Sequence, residues 1–159
     1  MQLNALGQGQ ATARSTASIT AEVVDITVAQ EESPLIFGRW APGPDGGQVK
    51  LLPDGEVSTQ GSVVMIGNAH SPARFYIKGV QDKAFSISLS NGPTVLSHEG
   101  SSNTMLVHGW DSNPAPGETW KLDDGALGVN VGAILDVNNL NDNPVGLYSG
   151  FYSIIFNYH

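Results

Sequence analysis

The amino end restricts the fold more than any other part of the sequence. Odd positions from 3 to 23 read Leu3, Ala5, Gly7, Gly9, Ala11, Ala13, Ser15, Ala17, Ile19, Ala21 and Val23; ten of these eleven are apolar or glycine. Of the eleven even positions from 2 to 22, ten are polar and only Leu6 is not. A two-residue period belongs to an extended strand with one face to bury and one to wet. At ~3.3 Å per residue such a run spans roughly 70 Å, against ~17–20 Å for an ordinary strand. One small domain cannot bury all of it, so its two ends are expected to serve different bodies. After Val23 the apolar set moves to Val24, Ile26 and Val28, the one-residue phase change that a bulge makes. Residues 17–29 are therefore expected to be the first strand of a domain covering 17–159. Residues 1–16 are expected to be an arm whose buried face is Leu3, Ala5, Gly7, Gly9, Ala11, Ala13 and Ser15. Glycine and alanine in that face let a backbone come close. The plainer alternatives are a flexible linker or a loosely packed first strand.

Strand periods continue along the chain. Phe85, Ile87 and Leu89 alternate with serines; Phe75 and Ile77 alternate with Tyr76 and Lys78; Val129, Val131, Ala133, Leu135 and Val137 fall on one face. Turn residues punctuate the runs. Pro53-Asp54-Gly55 is expected to join Val49–Leu52 to Glu56–Thr59 in a hairpin, and Asp123-Asp124-Gly125 to join Trp120–Leu122 to the strand from Ala126. No ten-residue stretch has a clean helical period, and the 19 glycines and 9 prolines suit turns better than helices. About ten short strands in 159 residues predict an all-β, immunoglobulin-like sandwich in one domain.

The last stretch, Leu147–His159, is the most strongly strand-forming in the chain. Tyr152, Ile154, Phe156 and Tyr158 share one face, and Phe151 and Ile155 the other. Apolar residues on both faces point to a neighbour that the sandwich does not itself supply. The sandwich is therefore expected to be incomplete, with Tyr152, Ile154, Phe156 and Tyr158 lining an acceptor groove for a donated N-terminal strand.

Composition narrows the function classes. Seven Lys+Arg against fifteen Asp+Glu give a net charge of −8, the wrong sign for a nucleic-acid binder or for docking on anionic lipid. No cysteine is present, which removes thiol catalysis, thiolate zinc sites and disulfides. No run approaches the ~20 apolar residues of a membrane helix, so no membrane insertion is expected. Met1-Gln-Leu-Asn-Ala-Leu has neither basic region nor apolar core, and the chain is read as cytosolic or already processed.

Catalytic and metal chemistry find little purchase. His70, His98, His108 and His159 lack metal-ligand spacing and are read as surface or edge residues. No nucleophile elbow or phosphate loop occurs, and no enzyme activity and no cofactor are expected. Asp136, Asn138 and Asp142 fall loosely like a calcium loop but lack its central glycine and closing glutamate. An Asx-rich turn is the reading preferred there. Trp40, Trp110 and Trp120 could stack on a sugar, although packing in the core or rim is the commoner use of tryptophan in a sandwich.

Certain motifs carry a resemblance. Leu35-Ile36-Phe37-Gly38 follows the first strand, Val131-Gly132-Ala133-Ile134-Leu135-Asp136-Val137 lies late in the chain, and Gly146-Leu147-Tyr148-Ser149-Gly150 precedes the last strand. In these the chain resembles a family of secreted bacterial proteins known only as a domain of unknown function, with Phe37, Gly38, Val131, Gly132, Leu135, Gly146, Tyr148 and Gly150 as the matching residues. It also looks like spore-coat-U-type and archaic chaperone–usher pilus subunits, which are immunoglobulin-like sandwiches lacking their final strand. Archaic subunits often carry a disulfide; this chain has none. The resemblance implies an extracellular filament of identical subunits joined head to tail by donor-strand exchange. It implies a periplasmic chaperone and an outer-membrane usher as assembly partners. The alternative is a monomeric cell-surface adhesin or carbohydrate-binding sandwich whose arm folds back on itself.

Overall fold

The computed structural model describes residues 12–21 and 28–159. Among these the chain forms eleven strands, one 3-10 turn and no α-helix. The strands are β1 (Val28–Ser33), β2 (Arg39–Leu51), β3 (Val57–Ile66), β4 (Ala73–Lys78), β5 (Ala84–Leu89), β6 (Thr94–His98), β7 (Thr104–Asn113), β8 (Thr119–Lys121), β9 (Ala126–Val137), β10 (Tyr148–Ser149) and β11 (Ile154–Tyr158). All pairings are antiparallel.

Strand β9 is the axis of the larger, eight-stranded sheet. Its first half pairs with β4, its second half with β2, and β7 runs along its other edge. β1 extends the sheet beyond β4, and β6 and β10 extend it beyond β7. The smaller sheet has the order β11-β5-β8. It covers β4 and the first half of β9 through a core of Ala73, Ile77, Phe85, Ile87, Leu122, Val129 and Val131. A second cluster, Val49, Val63, Val107, Ala133, Leu135 and Val137, gathers Phe37, Trp40, Leu96 and Met105 around it. The register of β2 on β3 shifts between Pro42 and Gly47. There the hairpin curls, so that Trp40 and Val63 join β6 and β7 in one core. All five alternating positions of β9 from Val129 to Val137 are buried, as the two-residue period requires.

Three expectations need correction. The expected first strand over residues 17–29 does not begin at Ala17. Ala17–Ala21 are exposed and belong to no strand, and β1 is Val28–Ser33. Ile19 is 96% exposed, so its place in the alternation does not bring it into this sandwich. Val24 and Ile26 lie outside the described residues, as do Leu3, Ala5, Gly7, Gly9 and Ala11; Ala13 and Ser15 are exposed.

The hairpin at Asp123-Asp124-Gly125 does not form. β8 pairs with β5 in the small sheet while β9 belongs to the large one. Asp124 (φ 54°) and Gly125 (φ 74°) turn the chain in a left-handed step from one sheet to the other. Buried Leu122 donates its N–H to Lys83 O and anchors the crossing. By contrast, the Pro53-Asp54-Gly55 hairpin forms with Leu51 opposite Val57.

Leu147–His159 is not one strand. Tyr148-Ser149 pairs with β6 in the large sheet, and Ile154–Tyr158 pairs with β5 in the small one. Between them the chain changes sheet. Gly150 lies against Val95 O, where a Cβ would collide, and this lets the segment hug β6 before it crosses.

Candidate functional site: an open sheet edge above aromatic side chains

The last strand, β11, pairs with β5 on one side only. Its far edge carries no strand among the described residues. His159 donates its N–H to Ala84 O. Main-chain groups alternate sides along an antiparallel strand, so Ile155 and Asn157 also turn toward β5. Ile154, Phe156 and Tyr158 turn their N–H and C=O groups to the free edge. The same three residues, with Tyr152, hold the core-facing side. Tyr152, Ile154 and Phe156 pack partly buried against the first core cluster, and the Tyr158 ring lies 6.4 Å from that of Phe85. Phe151 and Ile155 face outward, 96% and 55% exposed. The alternation thus places the four proposed groove residues on one face, although Tyr158 stays 40% exposed.

In the large sheet β1 likewise pairs with β4 alone among the described residues. Phe75 of β4 lies opposite Glu31 of β1 in register. Its ring meets Tyr152 edge-on at 6.4 Å and Phe156 at 6.0 Å. Tyr152 in turn stacks on Trp110 at 4.5 Å and 22°. Trp110, Tyr152, Phe75 and Phe156 thus form a continuous run of aromatic rings beside the open edge, the floor on which a strand added to β11 would lie. The Tyr152 hydroxyl and Trp110 Nε1 are buried without a hydrogen-bond partner among the described residues. Burial first, and the Glu31 carboxylate second, push the Tyr152 hydroxyl well above the ordinary phenol range.

The motif residues serve the approach to this edge. Asn143 is almost fully buried. Its amide donates to Thr104 O at 2.8 Å and Asp142 O at 3.0 Å, and its oxygen accepts the Asn138 N–H at 2.7 Å. The Tyr148 hydroxyl donates to Pro144 O. Gly146 lies over the His98 ring so closely that a Cβ would overlap it. Gly132 faces the Leu51–Pro53 backbone in the same way. Phe37 packs in the second cluster and its carbonyl accepts the Trp40 indole N–H at 2.8 Å; Gly38 takes a left-handed φ of 89° beside Ala69. Val131 and Leu135 are core residues of β9. This motif set builds the framework, and sequence spacing alone did not reveal that it does so by close backbone contacts.

The remaining candidates disperse. Trp40, Trp110 and Trp120 have separate partners, Phe37 O, the Tyr152 ring and Ala115 O. They do not assemble as one platform. Asp136 accepts from Gln48 at 2.8 Å and lies 2.9 Å from His108 Nε2 on the outer face of the large sheet. Asp142 sits in a turn organised by Asn139 and Asn143. His98 bonds the Val145 carbonyl and the Gly100 N–H, His159 lies near Ser86, and His70 Nδ1 is buried without a hydrogen-bond partner among the described residues. Among the described residues no three His, Asp or Glu side chains are grouped to hold a metal ion, and no helix is long and apolar enough to cross a membrane. A hollow of about 370 Å³ on the outer face is lined by Gln48, Lys50, Ser58, Thr59, Gln60 and Ile134; it shares no residue with the cleft.

A family described as a domain of unknown function, DUF4402, matches residues 26–158. No curated protein and no solved structure matches the chain. The match spans β1 to β11, with the open edge and its aromatic rings inside it.

Proposed function

Since the chain belongs to the DUF4402 family, and among the described residues the outer edge of β11 carries no strand, we propose that it is a structural subunit of an extracellular bacterial filament. The subunits join when the N-terminal arm of one enters the cleft of the next. The observation that carries this reading is the free edge of β11 above an apolar floor. Ile154, Phe156 and Tyr158 offer six main-chain groups, two on each residue, to an incoming strand. Each hydrogen bond formed there contributes about 0.5–1.5 kcal/mol net. The half-buried rings of Tyr152, Phe156 and Phe75 add apolar area.

A second observation concerns the arm. Every described residue from Thr12 to Ala21 is exposed, so this stretch buries none of its side chains in its own sandwich. Ten residues extended at ~3.3 Å each reach roughly 33 Å, enough to carry the preceding segment to a neighbour. The contact joins two different surfaces and does not close on itself, so it propagates as a fibre. The likeness to spore-coat-U-type and chaperone–usher pilus subunits supports the same reading. With it come a periplasmic chaperone that covers the edge before assembly, an outer-membrane usher, and a purely structural role without catalysis or cofactor.

Negative-stain microscopy and gel filtration of the purified chain, beside a variant lacking residues 1–16, test the proposal. Rods from the full chain and single subunits from the truncation are expected. Single subunits from both at high concentration would overturn it.

A further inference from the structure

The cleft floor also dictates which strand fits. We infer that the cleft selects an incoming strand with small side chains, and that Phe75, Tyr152 and Phe156 set this limit; the inference rests on the strand-exchange reading above. Three partly buried rings already lie beside the open edge of β11. Phe75 touches both Tyr152 and Phe156 edge-on, and Trp110 backs Tyr152 in a stack. Rings braced on one another in this way cannot fold aside, because each supports the next. A strand laid along β11 brings every second side chain down onto them. Bulky side chains would have no pocket to enter and would hold the backbone off the edge, so that its hydrogen bonds would lengthen and fail.

The occupant is the N-terminal segment of a second copy of this chain. At positions 7, 9, 11 and 13 that segment presents Gly, Gly, Ala and Ala. Their small size lets the backbone settle on the rings while the alternate Gln8, Gln10 and Thr12 face water. The floor supplies the bulk and the arm supplies the backbone. Area burial alone predicts the reverse: a larger apolar side chain on the arm would strengthen the contact.

The two expectations separate cleanly in the full-length chain. Ala11→Leu and Ala13→Leu are compared with the unaltered chain, each alone and combined with Phe75→Val, by light scattering and microscopy at equal concentration. Size selection predicts at least a tenfold fall in assembled mass for each leucine variant. It also predicts recovery to within about threefold when Phe75→Val makes room for either one. Circular dichroism confirms that the floor variant folds; if it does not, Phe156→Leu takes its place. Assembly of the leucine variants equal to or better than the unaltered chain overturns size selection and leaves strand exchange standing. Lack of rescue by a folded floor variant overturns it as well. If the unaltered chain itself does not assemble, strand exchange and the inference fall together.

Discussion

Residues of equal chemistry carry different weight here according to where the sheets leave them. Phe85 is fully buried beneath the small sheet, whereas Phe156 is only half-covered at the open edge. Phe85→Ala should therefore lower stability by about 3–5 kcal/mol. Phe156→Ala should cost about 2 kcal/mol in the isolated subunit, since part of its ring is wet already. Urea unfolding of both variants measures the difference; equal losses would mean that the cleft is closed in the free chain. Tyr152 adds a pH signature. Its hydroxyl is held neutral in the fold above the range where it ionises in the unfolded chain. The unfolded state then releases the proton first, so stability is complete below about pH 10 and declines as pH climbs beyond it. Tyr152→Phe should flatten part of that alkaline decline, read as melting temperature against pH from 8 to 11. An unchanged slope would remove Tyr152 as its source.

Elements show how far a sequence speaks for its own fold. Two-residue periods placed the inward residues of β4, β5, β9 and β11, because a strand half in water must alternate. The hairpin at Pro53-Asp54-Gly55 was equally legible, since its turn residues favour that geometry. The crossing at Asp123-Asp124-Gly125 was not. Nearly the same turn residues occur there, yet the left-handed φ of Asp124 and the burial of Leu122 send the chain to the other sheet, and only the packed sandwich decides that. The division of Leu147–His159 between two sheets was hidden for a similar reason: β-propensity does not say which neighbour a strand finds. The loop before β10 depends on one side chain. Asn143→Ala would leave the Thr104 carbonyl and the Asn138 N–H without their partner. A loss of about 2–3 kcal/mol is expected in thermal or urea unfolding, and a change below about 0.5 kcal/mol would show that the loop is held elsewhere.

At the scale of the whole molecule the described residues leave an open edge at β11, beside the rings of Phe75, Tyr152 and Phe156. An arm filling it from a neighbour should tolerate charge on its wet face and not on its buried one. Ala11→Asp or Ala13→Asp should abolish assembly, because a carboxylate without a partner costs several kcal/mol to bury. Gln10→Asp or Thr12→Asp should leave assembly within about twofold of the unaltered chain in light scattering, since a single exposed charge changes little. Hydrogen exchange at the amides of Ile154, Phe156 and Tyr158 reads the central claim most directly, in the concentrated full chain and in a chain lacking residues 1–16. Slow exchange at these three amides in the full chain, and fast exchange in the truncated one with Ile155 and Asn157 protected in both, is the predicted result. Equal rates at Ile154, Phe156 and Tyr158 in the two chains would contradict it.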